Sequence, residues 1–209
     1  MSDYGTNSPP DTRDSLRLKI VVGGGFGAGK TTFVGALSEI EPLSTEELLT
    51  AASERTDSLK GVEGKTTTTV AMDFGRITLP VPQVQLMLFG VPGQPRFKFL
   101  WDELTRGALG AAILADTRRL QDSFEVISYF EQRATPFVVA VNEFDGAPHS
   151  YEPDEVRAAL QLHPDVPVVR CDARTVHSAR PVLLTLVEHA FRLSQAATGH
   201  LPTPQGAHP

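Results

Sequence analysis

The chain of 209 residues has one cysteine, Cys171. An intrachain disulfide is therefore impossible, and so is a zinc site built on several thiolates. The expected setting is the reducing cytoplasm, with Cys171 a small core residue. Basic residues are in deficit, and the formal net charge is −6 at pH 7. A general nucleic-acid binder would show the opposite excess, so no nucleic-acid partner is expected. No apolar stretch approaches the roughly 18 residues of a membrane span. The polar start MSDYGTNSPPDTRDS has no apolar signal core. Ser2 stands where myristoylation needs glycine, and the end QGAHP carries no prenylation box. No intrinsic membrane anchor is expected. The six histidines form neither H-x-x-E-H nor H-E-x-x-H, and G-x-S-x-G is missing. Zincin and serine-triad chemistry therefore find no support, and no internal repeat is visible.

What is present is an alternation of strand and helix patterns. Residues 1–14 read as a disordered lead and 197–209 as a disordered tail rich in Pro, Gly and His. Residues 15–196 read as one domain. LRLKIVVGG (16–24) is a strand ending in glycines, and 29–40 suits a helix. VAMDFGRITL (70–79) and VQLMLFGV (84–91) are strand-like runs separated by Pro80 and Pro82. Residues 96–108 suit a helix with Phe97, Leu100, Trp101, Leu104 and Ala108 at core spacing. GAAILAD (110–116) is a buried strand, and Leu120, Phe124 and Ile127 mark the inner face of a helix after it. PFVVAVN (136–142) is another buried strand, 153–161 a helix and VPVVRC (166–171) a last strand. The final helix carries Leu183, Leu186, Val187, Ala190 and Phe191 on one face, with Pro181 in its first turn. Ser44 and Glu47 form a capping-box pattern before LLTAAS, which predicts a short helix inside the long segment 42–68. Apolar runs without alternation mean strands covered on both faces. The fold class is α/β: a parallel, doubly wound sheet with one antiparallel strand at 70–79.

Four blocks carry chemistry. GGFGAGKT (24–31) matches G-x-x-x-x-G-K-[ST] between a strand and a helix. Gly25, Gly27, Ala28 and Gly29 let backbone N–H groups curl around phosphate oxygens, and Thr32 continues the cradle into the helix N-terminus. Lys30 would reach the β- and γ-phosphates, and Thr31 would offer its hydroxyl to Mg²⁺. VNEFD (141–145) follows a buried strand. Guanine presents two donors on one edge, and Asp145 can accept both; adenine would leave that carboxylate unpaired. Asn142 would hold neighbouring loops. CDAR (171–174) follows the last strand. There Asp172, Ala173 and Arg174 are base-side candidates, through a backbone N–H near Ala173 to guanine O6 and the Arg174 stem beside the base. KTTTTVAMDF (65–74) offers a threonine that could complete the Mg²⁺ shell, and its four adjacent threonines leave the choice open.

Together with PGQ at 92–94, these blocks resemble the guanine-nucleotide motifs of Ras-like small GTPases over about residues 16–195. Pro-Gly-Gln without a preceding acid is similar to the bacterial gliding-motility GTPases of the MglA type. It also resembles actinobacterial ATP/GTP-binding proteins encoded beside a sensor kinase and a roadblock-domain protein. The resemblance implies a P-loop NTPase G domain, three-layer α/β/α with a mostly parallel sheet, and GTP/GDP and Mg²⁺ as ligands. It makes Thr69 the switch I threonine and a metal ligand with Thr31. It makes Gly93 the γ-phosphate sensor and Gln94 the residue that orients water, with Lys30 the other catalytic candidate. It also implies slow GTP hydrolysis stimulated by a roadblock-type protein, and a sensor-kinase complex at the membrane as a recruiting partner. Three departures stand out: Gly90 where such switches carry an aspartate, Glu143 where they carry a lysine, and Cys171-Asp172 in the last block. Asp116 is a candidate substitute for the missing acid, against an ordinary strand-end or capping role. Arg55 and Arg96 are candidate arginine fingers, against solvated charges. Phe99, off the core face of its helix, is a partner contact if exposed. A non-hydrolysing nucleotide-bound scaffold and a P-loop ATPase or small-molecule kinase are the competing functions.

Overall fold

The computed structural model describes residues 16–49, 68–79, 84–94, 97–147 and 149–198. The expected lead, nearly all of the expected tail, Arg55, Arg96 and threonines 66 and 67 lie outside these residues. The strands are β1 (Leu16–Gly24), β2 (Leu43–Leu49), β3 (Thr68–Thr78), β4 (Val84–Gly90), β5 (Gly110–Asp116), β6 (Phe137–Asn142) and β7 (Val168–Cys171). The helices are α1 (Lys30–Leu37), α2 (Lys98–Thr105), α3 (Phe124–Gln132), α4 (Pro153–Ala159) and α5 (Val176–Thr198), with a 3₁₀ segment over Thr117–Ser123.

The seven strands form one sheet in the order β2-β3-β4-β1-β5-β6-β7. β3 is antiparallel to both of its neighbours, and the other pairings are parallel. The sheet therefore has one reversed strand. β5 and β6 are buried along their whole length, because helices cover both faces. Period-2 alternation splits β5 between two cores: Ala112 and Leu114 join Phe33 of α1 and Leu183 of α5, whereas Ile113 and Ala115 join Trp101, Ile127 and Val156 of α2, α3 and α4. This sorting makes the three layers. It also brings the carboxyl ends of β1, β4, β5, β6 and β7 to one rim of the sheet.

Three expectations need correction. The capping-box pattern at Ser44 does not start a helix; Leu43–Leu49 pairs with β3 as an edge strand. An isolated helix of that length is marginal in water, whereas pairing satisfies a row of β3 backbone groups that would otherwise face outward. Phe124 and Phe191 are exposed rather than inward, Phe191 at 59%. The inner faces are set by Val126, Ile127 and Phe130 in α3, and by Val182, Leu183, Leu186 and Ala190 in α5. Pro181 lies inside α5 rather than in its first turn, because the helix begins at Val176.

Candidate functional site

The phosphate loop joins β1 to α1. Gly24, Gly27 and Gly29 have φ of 136°, 72° and 100°, a region that side chains disfavour. Space enforces the same choice: a Cβ on Gly24 would stand 2.5 Å from the Leu114 carbonyl oxygen, and one on Gly29 would stand 2.5 Å from Asn142 Nδ2. Ala28 is buried beneath the loop, and Thr31 and Thr32 are exposed in the first turn of α1. Lys30 Nζ donates to the Gly24 and Gly25 carbonyls at 3.0 and 2.7 Å. An ammonium has three donors, so one direction remains for an anion. Burial pushes the Lys30 pKa down to about 8, against an upward pull from Asp73.

Asp73 is the residue that the motifs did not point to. Thr31 Oγ1 donates to Asp73 Oδ2 at 2.7 Å. The carboxylate is 8% exposed. Asp73 is registered directly opposite Gly90 across the β3–β4 pair. A Cβ on Gly90 would lie 3.0 Å from Asp73 Cβ and 3.1 Å from Oδ2. The Asp73 carboxylate thus occupies the space that an acid at position 90 would enter. A buried carboxylate touching the P-loop hydroxyl is a donor set that fits a hard divalent cation. Asp116, the substitute proposed from sequence, is engaged elsewhere: it accepts from the Arg118 backbone N–H at 3.0 Å and from the Arg118 guanidinium at 2.9 and 2.8 Å. Burial pushes its pKa up, and the Arg118 bonds outweigh this, holding it below the usual carboxylate range.

The Pro-Gly-Gln turn at 92–94, the expected switch II, meets the loop from the other side. A Cβ on Gly93 would stand 2.6 Å from both the Gly24 carbonyl oxygen and the Gly25 carbonyl carbon, so only glycine fits there. Trp101 Nε1 donates to the Pro92 carbonyl at 3.0 Å and ties the Pro-Gly-Gln turn to α2. Gln94 is half-buried beside it. Thr69 lies in β3 opposite Leu48, about 13 Å along the strand from Asp73. Phe99 is 58% exposed on α2.

The base-side loops gather around Asn142, which is 4% exposed. Its Nδ2 donates to the Ala28 carbonyl at 2.9 Å, and its Oδ1 accepts from the Ala173 N–H at 3.0 Å. One amide therefore bolts the phosphate loop to the loop after β7. The Ala173 N–H is already partnered, so guanine O6 would have to share it. Asp145 is exposed and forms an ion pair with Arg174, which also grips Asp172 at 2.8 and 2.9 Å. These carboxylates, Asp172 first, raise the Arg174 pKa further. Glu143 turns to Arg170 at 2.8 Å. Cys171 is buried, and desolvation lifts its thiol to about 12, an inert core residue. Among the described residues no group of three or more His, Cys, Asp and Glu side chains could hold a metal, and no helix is long and apolar enough to cross a membrane.

Known proteins share this fold. The G domain of the T. maritima FeoB iron transporter superposes with a TM-score of 0.57 at 18% identity, over 84% of this chain and 99% of that one. The FeoB cytosolic domain in a GDP form gives a TM-score of 0.60 at 18% identity, and the match covers 64% of its length. These likenesses establish the P-loop G-domain fold. An uncharacterised protein of Methanocaldococcus jannaschii is 28% identical over 130 residues, 61% of this chain and 71% of its own. A family profile described as conserved hypothetical ATP binding protein matches residues 22–193. With its phosphate loop, its sheet order and this match, the chain belongs to that family of P-loop nucleotide-binding proteins.

Proposed function

We infer that the protein is a guanine-nucleotide switch that hydrolyses GTP slowly to GDP and phosphate. The observation that carries this reading is the Asn142 bridge between Ala28 and Ala173. It joins the phosphate loop to the loop after β7, which would read the base with Asp145. Lys30 and the loop N–H groups would neutralise the phosphates, Gly93 would sense the γ-phosphate, and Gln94 would orient water. Thr31 and Asp73 would hold Mg²⁺, with Thr69 as a further candidate. That ion would supply charge neutralisation at the β- and γ-phosphates. The bound triphosphate would order switch II through Gly93, and its loss would release the exposed Phe99 face for a different partner. A roadblock-type protein is the proposed regulator, in bacterial signalling beside a membrane sensor kinase. Without an arginine from such a partner, a rate on the order of 10⁻³ per second is ordinary.

A second reading is an ATP-binding protein. The Asp145–Arg174 pair favours it, because it occupies the carboxylate that would read guanine. The family description names ATP as well. One experiment separates the readings. The nucleotide that co-purifies is identified, and single-turnover phosphate release is measured with GTP and with ATP, with and without the roadblock protein. GTP-selective release, accelerated by the partner, is expected. ATP competing equally for the site would sink the guanine assignment, and equal rates with and without the partner would sink the regulator.

A further inference from the structure

Arg119 reaches the phosphate loop from outside. Its Nη2 donates to the Phe26 carbonyl at 2.8 Å, across 93 residues of sequence. A Cβ on Gly27 would lie 3.0 Å from the same nitrogen. The 3₁₀ segment after β5 packs so closely here that a Cβ on Gly25 would stand 2.6 Å from Asp122 Cβ. The same Arg119 Nη2 also lies 3.4 Å from Asp116 Oδ2. Asp116 is itself buried and gripped by Arg118. Arg119 Nη2 is thus shared between the Phe26 carbonyl and Asp116, with the shorter bond on the loop.

The Phe26–Gly27 peptide is trans. In a trans peptide the carbonyl and the N–H point to opposite sides. Arg119 takes the carbonyl, so the Gly27 N–H points away from the guanidinium. Gly27 does not fix this by itself: at φ 72° it is a glycine that tolerates either sign of φ. The peptide is free to turn over unless something holds it. Turned over, it would present a carbonyl oxygen to an anion. A charge-assisted bond on the carbonyl opposes that flip and polarises the N–H on the far side.

We propose that Arg119 is a positioning residue for the phosphate site, which locks the Phe26–Gly27 peptide with its N–H inward and strengthens it as a phosphate donor. The inference rests on the reading of this loop as a nucleotide site. Neither Arg55 nor Arg96 is needed for it, because Arg119 acts through the backbone and not as a finger.

Three variants test it: Arg119→Lys keeps charge and donor, Arg119→Gln keeps a donor without charge, and Arg119→Met keeps only the stem. Affinity for GDP and, in parallel, ADP is measured by displacement of a fluorescent diphosphate, and the ³¹P spectrum of the bound diphosphate is recorded. Thermal unfolding without nucleotide reports on folding. Arg119→Met is expected to weaken the preferred diphosphate roughly tenfold and to shift its β-phosphate resonance. Arg119→Gln should fall between, and Arg119→Lys should stay within about twofold of wild type with the resonance restored. Wild-type affinity and an unmoved resonance in Arg119→Met would overturn the proposal, as would equal losses in all three. If Arg119→Met does not fold, the Gln–Lys contrast decides, and equal behaviour of those two overturns it. A wild-type protein that retains neither diphosphate refutes the nucleotide site itself, before any variant is compared.

Discussion

Placing an aspartate at Gly90 should damage this protein, although the Ras-like switches that its motifs resemble carry one there. The reason is the register that sets Gly90 opposite Asp73. The new Cβ would meet Asp73 Cβ at 3.0 Å and Oδ2 at 3.1 Å. Two carboxylates about 4 Å apart repel by about 4 kcal/mol at an effective dielectric of 20. Protonating one of them at pH 7 costs a similar amount, about 4 kcal/mol from an ordinary carboxyl pKa. Gly90→Asp should therefore lose about 2–4 kcal/mol of stability at pH 7, read by urea unfolding. The like charge raises the folded-state pKa of the pair, so the loss should shrink as pH falls towards 4. Asp73→Ala should instead weaken Mg²⁺-dependent nucleotide retention about 10–100-fold, read as nucleotide off-rate against Mg²⁺ concentration. The double variant Asp73→Ala/Gly90→Asp returns one carboxylate to the same space. It should recover most of both losses, with a coupling of at least about 2 kcal/mol in the cycle. Additive effects, or a Gly90→Asp protein as stable as wild type, would show that the two positions do not share one acid site.

Two further outcomes follow from the same geometry. The Lys30 pKa of about 8 is set by burial, and a bound phosphate would raise it, so nucleotide binding takes up a proton. Affinity should be steady below about pH 8 and weaken above it, whereas the nucleotide-free protein should gain stability between pH 8 and 10.5 as the buried ammonium no longer has to be charged. Calorimetry at several pH values measures the first trend, melting without ligand measures the second, and a flat affinity profile to pH 9.5 would contradict the assignment. Asn142→Ala should leave the Ala28 carbonyl and the Ala173 N–H without their partner, costing about 2–5 kcal/mol of stability and speeding nucleotide release. Unchanged unfolding would mean that the bridge is idle.

Local pattern determined much of this molecule. The apolar runs of β5 and β6, each closed by one polar residue, suit strands covered on both faces, and their alternation with helix patterns points to a parallel α/β sheet. The phosphate loop was legible because its glycines, Lys30 and Thr31 are contiguous and their chemistry is backbone chemistry. What the tertiary structure decided are contacts between residues far apart in the chain. Asp73 in VAMDFGRI is a buried acid within an apolar strand, a signal that was available, but only strand register places it opposite Gly90 and on Thr31. Arg119 meets Phe26 because the segment after β5 folds onto the loop, which no local period encodes. The capping-box pattern at Ser44 gave way to β2 because a strand edge offered backbone partners that a short helix could not match. Local chemistry thus set the elements and the cradle, while long-range contacts decided which acid and which arginine lie against it.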